Sequence, residues 1–518
     1  MASEARLGWA LDQAALRRPE AIAVIDESGR VTFGELRDLS NAIATQLLEG
    51  GVGAGDVVTF ALPNVIETVA AAAAIWRIGA VSNPVVTLFR EHEFAYIVGQ
   101  LQPAAVISGA DIRGRNLCAE LDSALAAAGC APRLRLRFGG EPLPGWDELG
   151  AGASSSSFNL LEAAEPAPAD HPCLVLYTSG TTSDPKAVLH NSSSLLQEVA
   201  SMQRTWGLTF RDRMLMASPL THITGLLQGL LVPCLIGGAA VLLDRWDPAA
   251  CVAAIESEGA TYMAGATPFL QGVLGAYDDA MPAAGPSLRQ YCCGGAAVPP
   301  DLIEAAERIG VAAYRCWGMT ELPTATLASE RDPLDRRART DGRIAEGVEV
   351  ETVDEERRPL PIGTEGELRL RGPERMIGYL RAGDNEAALD AEGWFYSGDL
   401  GVIDEAGYVS ITGRLKDIIN RGGEKLSTRE IEELILRHEA VSDAAVIPVP
   451  DERLGEEVCA VIVTDGSALA DDELIAFLRA QKIAVQKLPR RIERVDELPR
   501  TASGKVRKQE LIERMEVG

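Results

Sequence analysis

The chain has 518 residues, of which 47% are hydrophobic and 24% are charged. One hydrophobic core stops growing near about 250 to 300 residues, so we expect two or more domains. The 49 basic and 75 acidic residues give a formal net charge of −26, which repels nucleic acid and anionic membranes. We therefore expect no nucleic-acid partner, and an anionic ligand must be held by local donors.

The nine cysteines are scattered and form no CxxC pair or Cys/His cluster at zinc spacing, so we expect reduced, mostly buried thiols. No run approaches the roughly 20 apolar residues that a membrane helix needs, so no membrane insertion is expected. The N-terminal segment carries acidic residues and lacks the apolar region of a secretory signal. A cytoplasmic protein is the resulting expectation.

Strand-like and helix-like stretches alternate through most of the chain. Apolar runs predict strands over 21–26, 57–62, 241–244, 260–265 and 366–372, and a helix is predicted over 32–48. This alternation is typical of sheets and helices packed in layers. The predicted fold class is α/β, with a large layered N-terminal domain over residues 1–413 that contains mixed β-sheets and packed helices.

The periodicity weakens between residues 113 and 172. Segments 152–158 (GASSSSF) and 165–172 (EPAPADHP) have the composition of turns. We predict a linker or surface excursion in this region, richest in loops near 150–172.

The pattern changes again after 413–417 (GRLKD). Residues 427–430 (STRE) predict a capping box, in which the serine accepts from a free backbone NH and the glutamate reaches back. A helical apolar face, two strand-like runs and a second helix near 471–479 follow. These features predict a small α+β C-terminal domain over residues 414–518.

Residues 176–188 read LYTSGTTSDPKAV, and strands are predicted on either side, at 174–177 and 187–190. The connecting loop offers hydroxyl groups, backbone NH groups around a glycine and one lysine, which together suit a polyphosphate. The Walker pattern is absent. Taken alone, such a loop is more often a solvated turn. The residues concerned are Thr178, Ser179, Gly180, Thr181, Thr182 and Lys186.

Seven further motifs follow in order: 218–226 (SPLTHITGL), 294–299 (GGAAVP), 316–321 (CWGMTE), 366–380 (GELRLRGPERMIGYL), 393–400 (GWFYSGDL), 413–432 (GRLKDIINRGGEKLSTREIE) and 499–508 (PRTASGKVRK). With the loop at 176–188, they resemble the AMP-forming acyl-CoA synthetases of the adenylate-forming enzyme superfamily. The resemblance covers nearly the whole chain. The family's loop usually reads YTSGTTGxPKGV, so Ser183 and Ala187 stand where glycine is usual.

The resemblance implies a two-step ligase that uses ATP, Mg²⁺ and coenzyme A on a small carboxylic acid. It also implies a mobile small domain that turns about Lys416 and brings Gly422, Gly423 and Glu424 to the coenzyme A tunnel. Lys505 would reach the reacting carboxylate and α-phosphate, where its charge offsets the negative charge that gathers there. The implied catalytic set is Lys505, Thr178, Lys186 and His222.

The nucleotide site implied by the resemblance draws on most of the motifs. Trp317 would cover adenine, Thr320 would contact phosphate, and Glu321 would bind magnesium, since a carboxylate is the hard oxygen ligand that this ion prefers. Asp399 and Arg414 would lie at the ribose. The full implied set is Thr178, Ser179, Gly180, Thr181, Thr182, Lys186, Gly294, Gly295, Ala296, Trp317, Gly318, Met319, Thr320, Asp399 and Arg414.

The acyl pocket is implied to lie at His222, Gly265, Ala266, Gly294 and Trp317. These segments contain small, uncharged residues and no acidic residue to pair an ammonium, which favours an apolar acid over an amino acid. We expect no direct proton transfer by the histidine.

Three alternatives stay open. The enzyme could perform only the thioester-forming half-reaction on a supplied adenylate, an alternative prompted by Ser183, Ala187 and Trp317. It could instead load a carrier protein, or it could be a former ligase that only binds a nucleotide or a partner. The oligomeric state is also open, with a homodimer as one alternative.

Overall fold

The computed structural model describes residues 6–151, 164, 167–178, 185–295, 297–422, 424–451, 453–464, 466, 469–501 and 504–516. Several residues of the predicted site lie outside the described residues: Ser179, Gly180, Thr181, Thr182, Ser183, Ala296 and Gly423.

The first large sheet has nine strands within the described residues. In spatial order they are Arg343–Ile344, Leu322–Leu327, Ala312–Met319, Gln290–Cys293, Tyr262–Gly265, Arg213–Met216, Ala239–Leu242, Ile22–Asp26 and Gly29–Thr32. The six strands from Ala312–Met319 to Ile22–Asp26 run parallel. Parallel strands are covered on both faces, which explains why they read as continuous apolar runs in the sequence.

The second large sheet has eight strands in the described part of the chain. Their order is Gly378–Tyr379, Ala187–Asn191, Pro172–Tyr177, Val81–Pro84, Val57–Ala61, Ala105–Gly109, Leu134–Phe138 and Asp147–Glu148. The strands that flank the loop at 178–186 pair antiparallel, with Val175 opposite Leu189. The two strands predicted around this loop are therefore confirmed.

The helices surround and separate the sheets. In the described residues, α-helices span Ala10–Arg17, Phe33–Glu49, Ile66–Arg77, Glu91–Leu101, Leu117–Ala127, Ser192–Trp206, Ile223–Leu226, Val232–Ile236, Pro248–Glu258, Thr267–Ala280, Pro300–Arg308, Leu334–Arg339, Ala382–Ala388, Thr428–Ile435, Asp471–Ala480 and Lys508–Glu516. Short 3-10 turns lie at Leu7–Trp9, Leu415–Asp417 and Val485–Lys487, and a π-helical segment lies at Leu227–Leu231. None of the described helices combines the length and apolar character needed to cross a bilayer.

Strand alternation distributes the buried side chains between layers. Met214 and Met216 belong to the largest apolar cluster, which also contains strands of the second sheet, whereas Leu215 belongs to a cluster on the opposite face. Successive side chains of a strand point to opposite faces, so each large sheet is packed on both sides. The predicted layered α/β class is confirmed. All nine cysteines are free thiols, and eight are buried, as expected.

A third, antiparallel sheet leads to the C-terminal region. Its strands are Glu349–Val353, Gly366–Arg371, Phe395–Ile403 and Val409–Arg414. After the turn Leu415–Asp417 the chain enters a separate sheet formed by Glu424–Ser427, Ile418–Arg421, Gly455–Thr464, Val441–Asp451 and Arg491–Arg494. This last sheet packs with its helices around its own core, which includes Ile419, Ile431, Val446 and Leu474.

Two local predictions need correction. Residues 113–148 contain regular structure rather than a linker: a helix at Leu117–Ala127 and strands at Leu134–Phe138 and Asp147–Glu148. Leucines recurring every four residues in that helix were the overlooked signal. At Ser427 only half of the capping box forms, because the serine accepts from Glu430 N while the Glu430 carboxylate pairs with Lys487 at 2.5 Å.

Candidate active site

A cavity lies at the carboxyl ends of the parallel strands of the first sheet, where ligands bind in open α/β sheets. Its volume is about 750 Å³, its open mouth included. Many of the predicted site residues meet in its lining: His222, Gly265, Ala266, Gly294, Gly295, Gly318, Met319, Thr320 and Lys505. Residues from four separate motifs, together with the end of the strand Tyr262–Gly265, are thus brought to one place.

Two glycines of the lining have geometric reasons to be glycine. A Cβ on Gly318 would lie 1.9 Å from the backbone oxygen of Pro323, so no side chain fits there. Gly295 has a φ of +84°, a conformation that other residues adopt only with strain. Gly318 therefore allows the neighbouring strand to pack closely, and Gly295 allows the backbone to turn at the cavity.

Lys505 enters the cavity from the C-terminal region. A Cβ built on Gly295 would lie 3.3 Å from Lys505 Cε, which places the lysine stem against the glycine. Burial lowers the pKa of Lys505 to about 8, and the cation of Arg414 acts in the same direction. An anionic ligand would reverse that shift, because it would neutralise the surrounding positive charge.

The two ends of the loop at 178–186 are closed by a backbone contact. Thr178 N donates to the carbonyl of Lys186 at 2.9 Å. The Lys186 ammonium lies 5.0 Å from the centre of the Tyr379 ring and 3.9 Å from an oxygen of Asp384. Thr178 and Lys186 themselves do not line the cavity, and the intervening residues 179–184 lie outside the described part of the chain.

Tyr379 joins this loop to Glu321. Its hydroxyl donates to Glu321 Oε1 at 2.6 Å, and the other carboxylate oxygen has no recorded partner among the described residues. That free oxygen fits a magnesium ion, which in nucleotide sites takes one or two carboxylates and completes its shell with phosphate oxygens and water. No group of three or more His, Cys, Asp or Glu side chains that could hold a metal ion occurs in the described ranges.

His190 is a structural residue that the sequence analysis missed. It is fully buried, and its Nε2 donates to the carbonyl of Thr320 at 2.7 Å. Burial lowers the pKa of His190 to about 4, so the ring stays neutral. The bond connects the strand after the phosphate loop to the 316–321 motif. A lone histidine in the apolar strand AVLHN was the available signal.

Asp399 and Arg414 face each other on neighbouring antiparallel strands. Arg414 Nε lies 2.6 Å from Asp399 Oδ1, and the indole Nε1 of Trp317 donates to Asp399 Oδ2 at 2.7 Å. The carboxylate is 2% exposed. Both of its oxygens therefore already have one cationic or NH partner, although each retains a further lone pair for a ribose hydroxyl.

Trp317, which the resemblance implied for the acyl pocket, is not among the residues that line the cavity. Cys316 and Gly318 line the cavity, whereas Trp317 between them does not. Side chains alternate along the strand Ala312–Met319, which turns the indole toward Asp399. The ring is 7% exposed.

His222 begins the helical segment beside the cavity, and its Nδ1 accepts from Thr224 N at 3.4 Å. Burial, assisted by the charge of Lys505, lowers the pKa of His222 to about 3. The imidazole is thus neutral at ordinary pH and suits a packing role better than acid catalysis.

Of the residues predicted for the hinge and the coenzyme A tunnel, the three that the structure describes, Lys416, Gly422 and Glu424, do not line the cavity. Lys416 lies in the turn Leu415–Asp417, where burial lowers its pKa and Arg414 adds to the effect. Gly422 follows the strand Ile418–Arg421, and Glu424 begins the strand Glu424–Ser427 in the C-terminal sheet. Only a rearrangement of the C-terminal region would bring Gly422 and Glu424 to the cavity.

Comparisons with known proteins agree with this geometry. The profile of the AMP-binding enzyme family matches residues 11–380, and that of the AMP-binding enzyme C-terminal domain matches residues 430–505. The medium-chain fatty-acid–CoA ligase of Escherichia coli (strain K12) is 36% identical over 501 residues, which covers 96% of this chain and 88% of that protein. The feruloyl-CoA synthase of an Amycolatopsis species is 32% identical over 500 residues, with 95% and 96% coverage.

A solved structure shows the same fold. ATP-bound MatB from Rhodopseudomonas palustris matches with a TM-score of 0.83 and 26% identity, covering 98% of this chain and 99% of that one. The chain therefore belongs to the AMP-binding enzyme family and is an enzyme of its AMP-forming acid–CoA ligase group.

Proposed function

We propose that the enzyme activates an apolar carboxylic acid with ATP and then transfers the acyl group to coenzyme A. A carboxylate oxygen attacks the α-phosphorus, the bond to the bridging oxygen breaks, and pyrophosphate leaves. The thiol sulfur of coenzyme A then attacks the acyl carbon, AMP leaves, and the thiol proton passes to solvent. Neither step needs a protein nucleophile, so the protein contributes positioning and charge stabilisation.

The observation that carries the proposal is the position of Lys505 inside the cavity, against Gly295. Two anions repel each other as the carboxylate approaches the phosphate, and a buried ammonium offsets this repulsion strongly because little water screens it. Arg414 and Asp399 lie close enough to Lys505 to influence its pKa, which is consistent with one shared nucleotide site.

Glu321, steadied by the Tyr379 hydroxyl, is the residue that would hold magnesium against the phosphates. When bound, the ion would neutralise phosphate charge and favour departure of pyrophosphate. Lys186, which lies against the Tyr379 ring, would contact the same phosphates. The second step would follow a turn of the C-terminal region about Lys416 that withdraws Lys505 and presents the 422–424 segment to coenzyme A.

The conformation of Ala187 supports retention of the first step. Its Cβ stands where the family usually has glycine, but the residue lies in the strand Ala187–Asn191, opposite Tyr177, with no positive φ. The extra methyl group is buried without backbone strain. Ala187, one of the residues that prompted the half-reaction alternative, therefore fits the fold without distortion.

A panel of carboxylic acids tests the proposal. Acid-dependent exchange of labelled pyrophosphate into ATP measures the first step, and acyl-CoA formation from supplied acyl-adenylate measures the second. Exchange with at least one apolar acid is expected. If no acid supports exchange while supplied adenylate still yields thioester, the two-step proposal gives way to the half-reaction enzyme.

The relatives do not identify the acid. Their names specify a medium-chain fatty acid in one case and a feruloyl group in the other, at similar identity to this chain. The apolar lining formed by Met202, Ile223, Leu227 and Ala264 supports an apolar acid in general.

A further inference from the structure

Gln228 places an amide among apolar residues of the acyl cavity. It lines the cavity together with Met202, Ile223 and Leu227, and its exposed fraction is 3%. The residue belongs to the π-helical segment Leu227–Leu231. Single π-helical turns occur frequently at functional sites, where they redirect a side chain.

Gln228 and its partner Tyr262 are separated along the chain from other residues that line the cavity. Gln228 follows His222 by six residues, which corresponds to about 9 Å along a helix axis. Its contact residue Tyr262 precedes Gly265 by three residues, which corresponds to about 10 Å along a strand. His222, Gly265 and Lys505 all line the cavity, with Lys505 marking the carboxylate end. The backbone of Gln228 and Tyr262 is therefore displaced along both elements from His222 and Gly265, whereas Gly504, next to Lys505, lies against Ala266.

The hydrogen bonds of Gln228 determine what it can offer a ligand. The Tyr262 hydroxyl donates to Gln228 Oε1 at 2.7 Å. Within the described part of the chain Gln228 Nε2 donates to no protein acceptor, and it is not sealed away from the cavity. The amide NH₂ group is thus available to a ligand in the cavity.

Tyr262 is held firmly in its donor role. Its ring lies 5.2 Å from the ring of Trp206, and both belong to the main core. Burial raises the pKa of Tyr262 well above its usual value, so the hydroxyl keeps its proton. The same Trp206 is fixed from its other side, since its carbonyl accepts from Gln290 Nε2 at 3.1 Å and its ring lies 6.1 Å from that of Tyr314. The amide at the cavity floor is therefore oriented before any ligand arrives.

We propose that Gln228 selects acids that carry a carbonyl oxygen at the end remote from the carboxylate. This inference rests on the proposed function, because it assigns the substrate class of the same cavity. An acid with only methylene groups would leave the buried NH₂ unpaired, whereas a ketone oxygen would accept from it. Sites built to pair a polar group reject the analogue that lacks it much more strongly than apolar pockets reject size changes.

Octanoic acid and its oxo derivatives, with the ketone moved one carbon at a time, test this proposal. The measurement is kcat/KM for acid-dependent pyrophosphate exchange. At one ketone position the wild-type enzyme should prefer the oxo acid by roughly tenfold to a hundredfold. Gln228→Leu should reverse the order of the two acids, and Tyr262→Phe should weaken the preference because the amide loses its orientation.

The matched control is Gln203→Leu, the same replacement at an exposed position of the helix Ser192–Trp206. It should keep the wild-type preference. Wild-type preference for octanoic acid at every ketone position, or an unchanged preference in Gln228→Leu, overturns the inference. Thermal unfolding and AMP binding show whether each variant is folded.

A binding experiment separates this inference from the proposed function. Non-reactive acyl-adenylate analogues, with and without the ketone, are titrated into the wild-type enzyme and Gln228→Leu. A ketone-dependent gain in affinity that is lost in the variant supports the role of Gln228 even if no acid supports exchange. Equal affinities for the two analogues contradict it, whatever the exchange assay shows.

Discussion

The indole of Trp317 donates a hydrogen bond of 2.7 Å to Asp399, the carboxylate that also pairs with Arg414. The resemblance to the adenylate-forming enzymes implied an aromatic face for adenine at this position. In the structure this bond connects the motif at 316–321 directly to the motif at 393–400. An aromatic residue thus positions the carboxylate proposed to bind ribose.

Trp317→Phe should weaken nucleotide binding while the acid site is retained. The change removes one hydrogen bond to a buried carboxylate, an effect of about 1 to 2 kcal/mol, so KM for ATP should rise roughly fivefold to thirtyfold. Steady-state kinetics with ATP and acid varied separately measure this. An unchanged KM for ATP, with KM for the acid raised instead, would contradict the positioning role.

Lys505→Ala should suppress adenylation far more than thioester formation from supplied adenylate. The ammonium is proposed to stabilise charge only in the first step, and removal of such a group commonly costs a factor of about a hundred to a thousand. The two half-reactions are measured separately. Equal loss in both would contradict the assigned role.

The pH profile should also report Lys505. Its pKa is lowered to about 8 by burial and by Arg414, and the protonated form carries the proposed role. The value of kcat/KM for adenylation should therefore fall as pH rises through about 8. Lys505→Arg keeps its charge at higher pH, so its profile should stay flat there even if its maximum is lower. A wild-type profile that is flat to pH 10 would argue against this assignment.

Arg429→Gln should favour the second half-reaction over the first. Arg429 lies 3.2 Å from Asp341, which also pairs with Arg315 at 2.8 Å, and this contact joins the C-terminal helix Thr428–Ile435 to the larger part of the chain. Burial alone would raise the pKa of Asp341, but the two arginines lower it. Without this contact, the C-terminal region should hold Lys505 in the cavity less often. The rate of pyrophosphate exchange should therefore fall several-fold.

Arg494→Gln is the control for this prediction. Arg494 pairs with Asp471 at 2.7 Å within the C-terminal region, and both side chains are largely exposed. Exposed ion pairs contribute little, so both half-reactions should stay near wild type. If both arginine variants lower exchange equally, the contact between the two regions has no special role.

Two buried carboxyl groups, Glu198 and Glu374, should make stability depend on pH. Both are fully buried, Glu198 accepts from the Thr324 hydroxyl, and burial raises the pKa of Glu374 to about 7. Burial, and then the neighbouring Glu374, raises the pKa of Glu198 well above its usual value. A carboxyl group whose pKa is higher in the folded state than in the unfolded state stabilises the folded protein at low pH. This stabilisation is lost as the pH rises through the folded-state pKa.

As pH rises from 6 to 8.5, the free energy of unfolding should therefore decrease by roughly 1 to 3 kcal/mol, and the melting temperature should fall. Glu374→Gln keeps the shape and cannot ionise, so its melting curve should shift less over the same range. Glu356→Gln, at an exposed position, should retain the wild-type slope. If the melting temperatures of Glu374→Gln and the wild type change equally with pH, this carboxyl pair is not the source of the pH dependence.

Local pattern was sufficient to predict much of the fold. The strands at Ile22–Asp26, Val57–Ala61 and Tyr262–Gly265 lie where apolar runs predicted them, because a strand covered on both faces must be apolar throughout. The helix Phe33–Glu49 starts at Thr32, whose side chain forms a full capping box with Glu35. These features depend on neighbours in sequence and are readable without a structure.

The order and wording of the eight motifs likewise identified the family, and with it several of the residues that line the cavity. What pairs with those residues could not be read from the sequence. Trp317 meets Asp399 across 82 positions, Tyr379 meets Glu321 across 58, and His190 meets Thr320 across 130.

Side-chain direction was also undetermined at Trp317 and Gln228, because it depends on strand alternation in one case and on a π-helical turn in the other. The sequence alone determined which chemical groups this protein has and the elements that carry them. Only the tertiary structure decided which groups touch, since contacts between distant positions follow from how the sheets and helices pack.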